Sequence, residues 1–159
     1  MVRDMNTMDR FRDIDFVVLD EDFSRFSVHD GTTIKAKIVV RKILFSITRT
    51  PEGLPSNFGI ESMDAVTAIV PKKLKRKPSR TKWDPNKDKG QEIPVEEQDT
   101  KVQSYMTSNG FKITVKPVVT KVLRYNKYNS LWEPIYKISV QAITDIKKIK
   151  NPPKNFDLK

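Results

Sequence analysis

The chain has 159 residues, 30 Lys and Arg against 20 Asp and Glu, and a net charge of +10. That length fits one compact domain or two very small ones, and a hydrophobic content of 37% leaves part of the chain without a core to join. The absence of cysteine excludes disulfides, thiolate metal sites and a cysteine nucleophile, and a single histidine excludes multi-histidine metal centres.

Residues 1–24 form an acidic N-terminal arm with seven acids and three bases. Its opening, MVRDMNTMDRFRDIDF, lacks the apolar core of a signal peptide. No later stretch approaches the roughly 20 apolar residues of a membrane span. The expectation is a soluble, cytoplasmic protein with no membrane partner. Asp13, Asp15, Asp20, Glu21 and Asp22 lack the glycine and spacing of a calcium loop and read as a solvated surface. The apolar run Phe16–Leu19 is a candidate extra strand.

Residues 25–70 read as a first β repeat. Arg25–Val28 is a short strand before Asp30-Gly31, a two-residue hairpin turn. Beyond it Ile34, Ala36, Ile38 and Val40 alternate with Lys35 and Lys37, the period of a half-buried strand. The phase breaks after Val40, because Ile43 and Phe45 take the face that Lys35 held. A strand that changes its buried face must bulge or bend. Ile60–Val70 also fits helical spacing, but the matching second-repeat segment alternates, so it is read as a strand.

Residues 71–103 read as a charged flexible linker, rich in Lys, Pro, Asp and Glu. It opens with Lys72, Lys73, Lys75, Arg76, Lys77, Arg80 and Lys82, seven bases and no acid over residues 71–82.

Residues 104–146 repeat the first module. Shifted by 79 residues, Phe26–Ile47 lies over Tyr105–Asn126 with seven identities in 22 positions, among them Gly31/Gly110, Ile34/Ile113, Val40/Val119 and Leu44/Leu123. Asn109-Gly110 matches the turn, and Pro117 inside the long strand suits a bulge or an edge. With two residues lost, Ala65–Thr67 falls on Ala142–Thr144. The tail 147–159 carries Lys147, Lys148 and Lys150 in KKIKNPP, which echoes the KKLKRKP after the first repeat.

The pattern predicts an all-β fold: a small duplicated β-barrel or sandwich with pseudo-twofold symmetry, two three-stranded repeats and a possible N-terminal strand. Each repeat of about 45 residues is too small to bury a core alone.

No glycine-rich phosphate loop occurs, and no cofactor is expected. A serine triad would need His29 as its base and a carboxylate brought to it, but nothing singles out a serine, so His29 reads as a turn-flanking residue. No enzyme is expected. One constellation points to binding: Arg124, Tyr125, Lys127, Tyr128 and Trp132 crowd one loop, where rings can stack on bases and cations can meet phosphates. The competing reading is that these rings cover the end of the core. The expected partner is nucleic acid, single-stranded or RNA in preference to a sequence-specific duplex, or else an acidic protein. A protein–protein assembly or scaffold role using the repeated strands is the alternative.

Overall fold

The computed structural model describes residues 10–149. Ten strands and one short 3-10 turn are present: β1 (Phe11–Ile14), β2 (Phe16–Asp20), β3 (Ser24–Val28), β4 (Thr33–Ser46), β5 (Phe58–Ile69), the turn Lys72–Leu74, β6 (Gln91–Glu92), β7 (Val95–Asp99), β8 (Gln103–Thr107), β9 (Phe111–Tyr128) and β10 (Pro134–Lys148). They form two five-stranded antiparallel sheets. Among the described residues no helix is long and apolar enough to cross a membrane.

Each sheet is organised on one long strand. In the first, β4 pairs β5 along one edge, while β3 and β1 divide the other and β7 lies outside β3. In the second, β9 pairs β10 along one edge, while β8 and β6 divide the other and β2 lies outside β8. The strands β2 and β7 therefore complete the sheet opposite to the one their neighbours β1 and β6 join. Both apolar clusters draw on both sheets: Ile38, Ile43 and Phe45 with Tyr105, Ile113 and Val115, and Phe26, Ile34 and Ala36 with Val119 and Val122. The sheets thus pack face to face.

The phase break predicted in the long strand is a bulge in each sheet. The β4–β5 register skips Arg41 and the β9–β10 register skips Thr120, so that Arg41-Lys42 and Thr120-Lys121 are exposed between buried neighbours. The segment Ile60–Val70 is strand up to Ile69, as the alternation of its second-repeat counterpart suggested.

Four expectations are corrected. The sheets do not close into a barrel: the outer edges of β5 and β10 are unpaired among the described residues. A cavity whose lining includes Ile60, Ser62, Ala142 and Thr144 lies between them. The turns are three-residue loops, with Gly31 N–H bonded to Val28 O and Gly110 N–H to Thr107 O. Only the glycines take positive φ, whereas a two-residue type I′ turn needs it at both central positions. The third strands correspond with one residue lost, not two, since Phe58 pairs Phe45 as Tyr136 pairs Arg124. Finally, the 71–103 linker is not bare connection. It carries β6 and β7, strands too short and polar to show an apolar period.

The middle of β4 lies beyond β3 and short of β1, so Ile38 has no strand on its inner side. Gln103 fills that place from the opposite sheet: its Oε1 accepts the Ile38 N–H at 2.8 Å and its Nε2 donates to the Ile38 carbonyl at 2.5 Å. The same side chain donates to Tyr105 Oη at 2.6 Å, and Gln103 is fully buried. The corresponding residue of β9 is Pro117, between the β8-paired and β6-paired stretches, where no N–H exists to strand. It is therefore an edge position, away from the bulge. Replacing Gln103 with Ala is expected to cost roughly 1–3 kcal/mol, because the buried Ile38 N–H is stranded while its carbonyl keeps the Tyr105 hydroxyl at 3.4 Å. Urea unfolding of the two proteins checks this.

Candidate nucleic-acid interface

The basic run after β5 lies against the β9–β10 hairpin. Proline punctuation denies the segment a ladder of its own, so the hairpin satisfies its backbone. Arg76 N–H donates to the Trp132 carbonyl at 3.0 Å. Ser79 N–H donates to Tyr128 O at 3.0 Å, and Tyr128 N–H returns a bond to Ser79 Oγ at 2.9 Å. The side chains of Lys72, Lys73, Lys75, Arg76, Lys77, Arg80 and Lys82 are all exposed around this contact. The structure thus joins the two basic-aromatic features that lie far apart in the sequence.

Where they meet is a cavity of about 480 Å³ whose lining includes Arg76, Lys89, Gln91, Arg124 and Tyr128, with three cations and no carboxylate. Lys89 and Gln91 were not legible as site residues, because they sit in an acid-rich stretch. The short strand β6 brings them in by pairing Gln91 with Arg124.

Arg124 is anchored. Its Nη1 donates to Asp30 Oδ2 at 2.9 Å, and Tyr136 Oη donates to the same oxygen at 2.7 Å. Thr32 N–H donates to Asp30 Oδ1 at 2.9 Å. The Asp30 side chain is only 6% exposed. Burial alone would raise its pKa, but the bonds from Tyr136, Thr32 and Arg124 outweigh it and hold the carboxyl below its ordinary value. The Tyr136 hydroxyl is pushed well above the usual tyrosine range, by burial first and also by the Asp30 carboxylate, while Thr32 offsets part of the rise.

The rings of the loop divide. Tyr125 is 6% exposed, edge-on to Trp83 at 5.3 Å and pressed by Gly90, where a Cβ would come within 2.9 Å of its ring. Tyr125 also lines the cavity, but with so little of it exposed it serves mainly as local core. Lys127 is largely enclosed too, 3.9 Å from Asp88 and bonded to Thr81. Tyr128 is half-buried on the cavity wall, and Trp132 is 50% exposed at the hairpin tip.

Lys147 and Lys148 do not join this end. They close β10, opposite Lys112 and Phe111, and a Cβ on Gly53 would lie 3.5 Å from Lys148 Nζ. At about 3.3 Å per residue they lie roughly 43–46 Å along the strand from the start of β10. The basic tail thus begins inside the sheet, because β9 and β10 stay paired down to the Gly110 turn. Lys150 lies outside the described residues.

The two ends are linked along the outward face of β9 and β10. Alternation with the buried positions turns Lys112, Lys116, Lys121, Lys137 and Lys147 outward, and all five are exposed. Asp145 is the one acid among the paired positions of this face. None of the five lysines is in an ion pair among the described residues. Of the five, the sequence singled out Lys147 alone, since only the pairing of the two strands shows that they share a face.

Because the Asp30 pKa is depressed on folding, its contribution to stability is present above the unfolded pKa near 4 and is lost as pH falls through the lower folded value. Asp30→Asn is expected to cost roughly 1–3 kcal/mol at pH 7, the scale of a charged hydrogen bond, and to flatten the acid limb. Denaturant midpoints measured from pH 7 down to pH 2.5 check both effects. No family model, no curated protein and no solved structure matches this chain.

Proposed function

We propose that this is a non-enzymatic, internally duplicated β-sandwich that binds nucleic acid, single-stranded or RNA, along the outward face of β9–β10 and the adjoining basic end. The observation that carries the reading is the lysine face: five exposed lysines against Asp145, running toward the hairpin where Arg76 and Lys89 share a cavity with Tyr128 and the Arg76 amide meets the Trp132 carbonyl. A polyanion lying there gains from each phosphate it neutralises and releases counterions, while exposed rings offer stacking to unpaired bases.

Duplication is supported by backbone contacts that recur with the 79-residue shift. His29 N–H donates to Pro94 O as Ser108 N–H donates to Asp15 O (29 to 108, 15 to 94). Likewise Phe16 pairs Thr107 as Val95 pairs Val28, and Arg12 pairs Phe45 as Gln91 pairs Arg124. On this reading the repeat is five strands long, and the two copies are related by a pseudo-twofold axis and exchange β2 and β7.

Binding to fluorescein-labelled U20 is expected at about 50 mM salt and should weaken steeply as salt rises. The combined variant Lys112→Ala, Lys116→Ala, Lys121→Ala should reduce the log–log salt slope by about 2, at roughly 0.7 per phosphate contact on a single strand. Absence of binding at low salt, or an unchanged slope in the variant, sinks the proposal.

A second reading, a protein assembly component, has its own observation. The outer edges of β5 and β10 are unpaired over 12 and 15 residues, and β5 contains neither Lys nor Pro to blunt it. A lysine in place of Met63 should then release any protein partner that survives nuclease treatment. A partner retained by that variant counts against edge pairing.

A further inference from the structure

The chain makes one local exception to its own turn chemistry. In the loops Val28–Thr32, Thr50–Leu54 and Asn129–Glu133, the fourth residue donates its N–H to the carbonyl of the first, and the first donates back to the carbonyl of the fifth. In Thr107–Phe111 the fourth residue makes the first of these bonds. Closing each loop places that fourth residue in the left-handed region: Gly31 at φ 93°, Gly53 at 85°, Gly110 at 87° and Trp132 at 66°. Trp132 holds the place that Gly53 holds 79 residues earlier (53 to 132), and it is the one non-glycine with positive φ among the described residues. A bulky side chain is strained there, since its Cβ crowds the backbone.

The ring is 50% exposed and makes no aromatic pair among the described residues. What the position does supply is a half-exposed indole in the hairpin loop, with the Arg76 amide bonded to the Trp132 carbonyl. That bond holds the Arg76 backbone at the loop, while its guanidinium donates to the Lys73 and Lys75 carbonyls at 2.9 and 2.8 Å. An exposed ring face matches one unpaired base.

We propose that Trp132 is the base-stacking residue of this protein, held in a strained turn at a cost in stability, and that it confers preference for unpaired nucleic acid. The inference rests on the nucleic-acid reading and deepens it. A paired base offers no free face to the indole, whereas the lysine face treats single and double strands alike.

The test uses the full chain, U12 RNA, a 12-base-pair RNA duplex and an abasic phosphodiester 12-mer, all at about 50 mM salt. Trp132→Gly is expected to raise the melting temperature by a few degrees while weakening U12 binding about tenfold, within the range for one stacked base. Its affinity for the duplex and the abasic oligomer should stay as in the parent. Trp132→Phe should keep most of the U12 affinity, which separates stacking from loss of the fold. Equal U12 affinity in the parent and Trp132→Gly overturns the stacking role alone. A Trp132→Gly protein that melts lower than the parent overturns the strain. A parent chain that binds neither U12 nor duplex overturns this inference and the nucleic-acid reading together.

Discussion

The two long strands outrun their neighbours, and the rest of the architecture answers that mismatch. With 14 residues in β4 and 18 in β9, no five-residue partner can cover the inner edge. Two short strands share each edge and leave a gap at mid-length, where buried backbone groups have no ladder. Leaving such groups bare costs about 1–3 kcal/mol each. One sheet meets the demand with Gln103, a side-chain amide that stands in for a strand, and the other removes the donor with Pro117. Because Gln103 reaches across from the opposite sheet, satisfying the gap also fastens the sheets together. The exchange of β2 and β7 does the same by backbone pairing, so neither half completes a sheet with its own residues.

That stitched arrangement sets the two ends apart chemically. At one end Phe45, Phe58 and Phe111 close the core, with Phe45 and Phe111 edge-on at 5.3 Å. At the corresponding positions of the other end stand Arg124, Tyr136 and Thr32, gathered on Asp30. A charged, hydrogen-bonded plug is a weaker source of stability than an aromatic one, since desolvation offsets much of its attraction. It leaves water and polar groups at the rim, however, and the cation-lined cavity lies beside it. The aromatic end therefore serves the core, while the polar end holds Arg124 in place with further donors free to face a ligand.

Much of the fold was legible because strand alternation and glycine turns are local signals. The bulges at Arg41 and Thr120 were foreshadowed by the switch of buried face after Val40. What escaped was non-local. The strand Val95–Asp99, VEEQD, has no apolar period, because it pairs on an outer edge with most side chains in water. The third-strand match slipped by one residue because Ala-Val-Thr and Ala-Ile-Thr align well by type, although one step turns every side chain to the other face. At the site, ring and cation content was visible but burial was not. Nothing in the string RYNKY distinguishes Tyr125, almost wholly buried beside Trp83 and Gly90, from the half-buried Tyr128, although both line the cavity.

The distribution of charge was the hardest feature to read, since sums along the chain hide sums across a face. Outside the two basic runs the chain is nearly neutral, yet pairing β9 with β10 collects five lysines on one side. Lys112 and Lys147 stand directly opposite each other, an arrangement that costs stability without an anion between them. Along β9 the lysines at 112, 116 and 121 follow at four- and five-residue intervals, roughly 13 and 16 Å at 3.3 Å per residue. Those gaps exceed the screening length of about 8 Å at physiological salt, so the folded protein tolerates its own repulsion. The same gaps decide what the face can hold. A small anion reaches at most the Lys112–Lys147 pair, whereas an extended polyanion with a charge every few ångströms spans the whole row. On the proposed nucleic-acid reading, the spacing that makes the face tolerable to the fold also favours a long phosphate chain over a small anion.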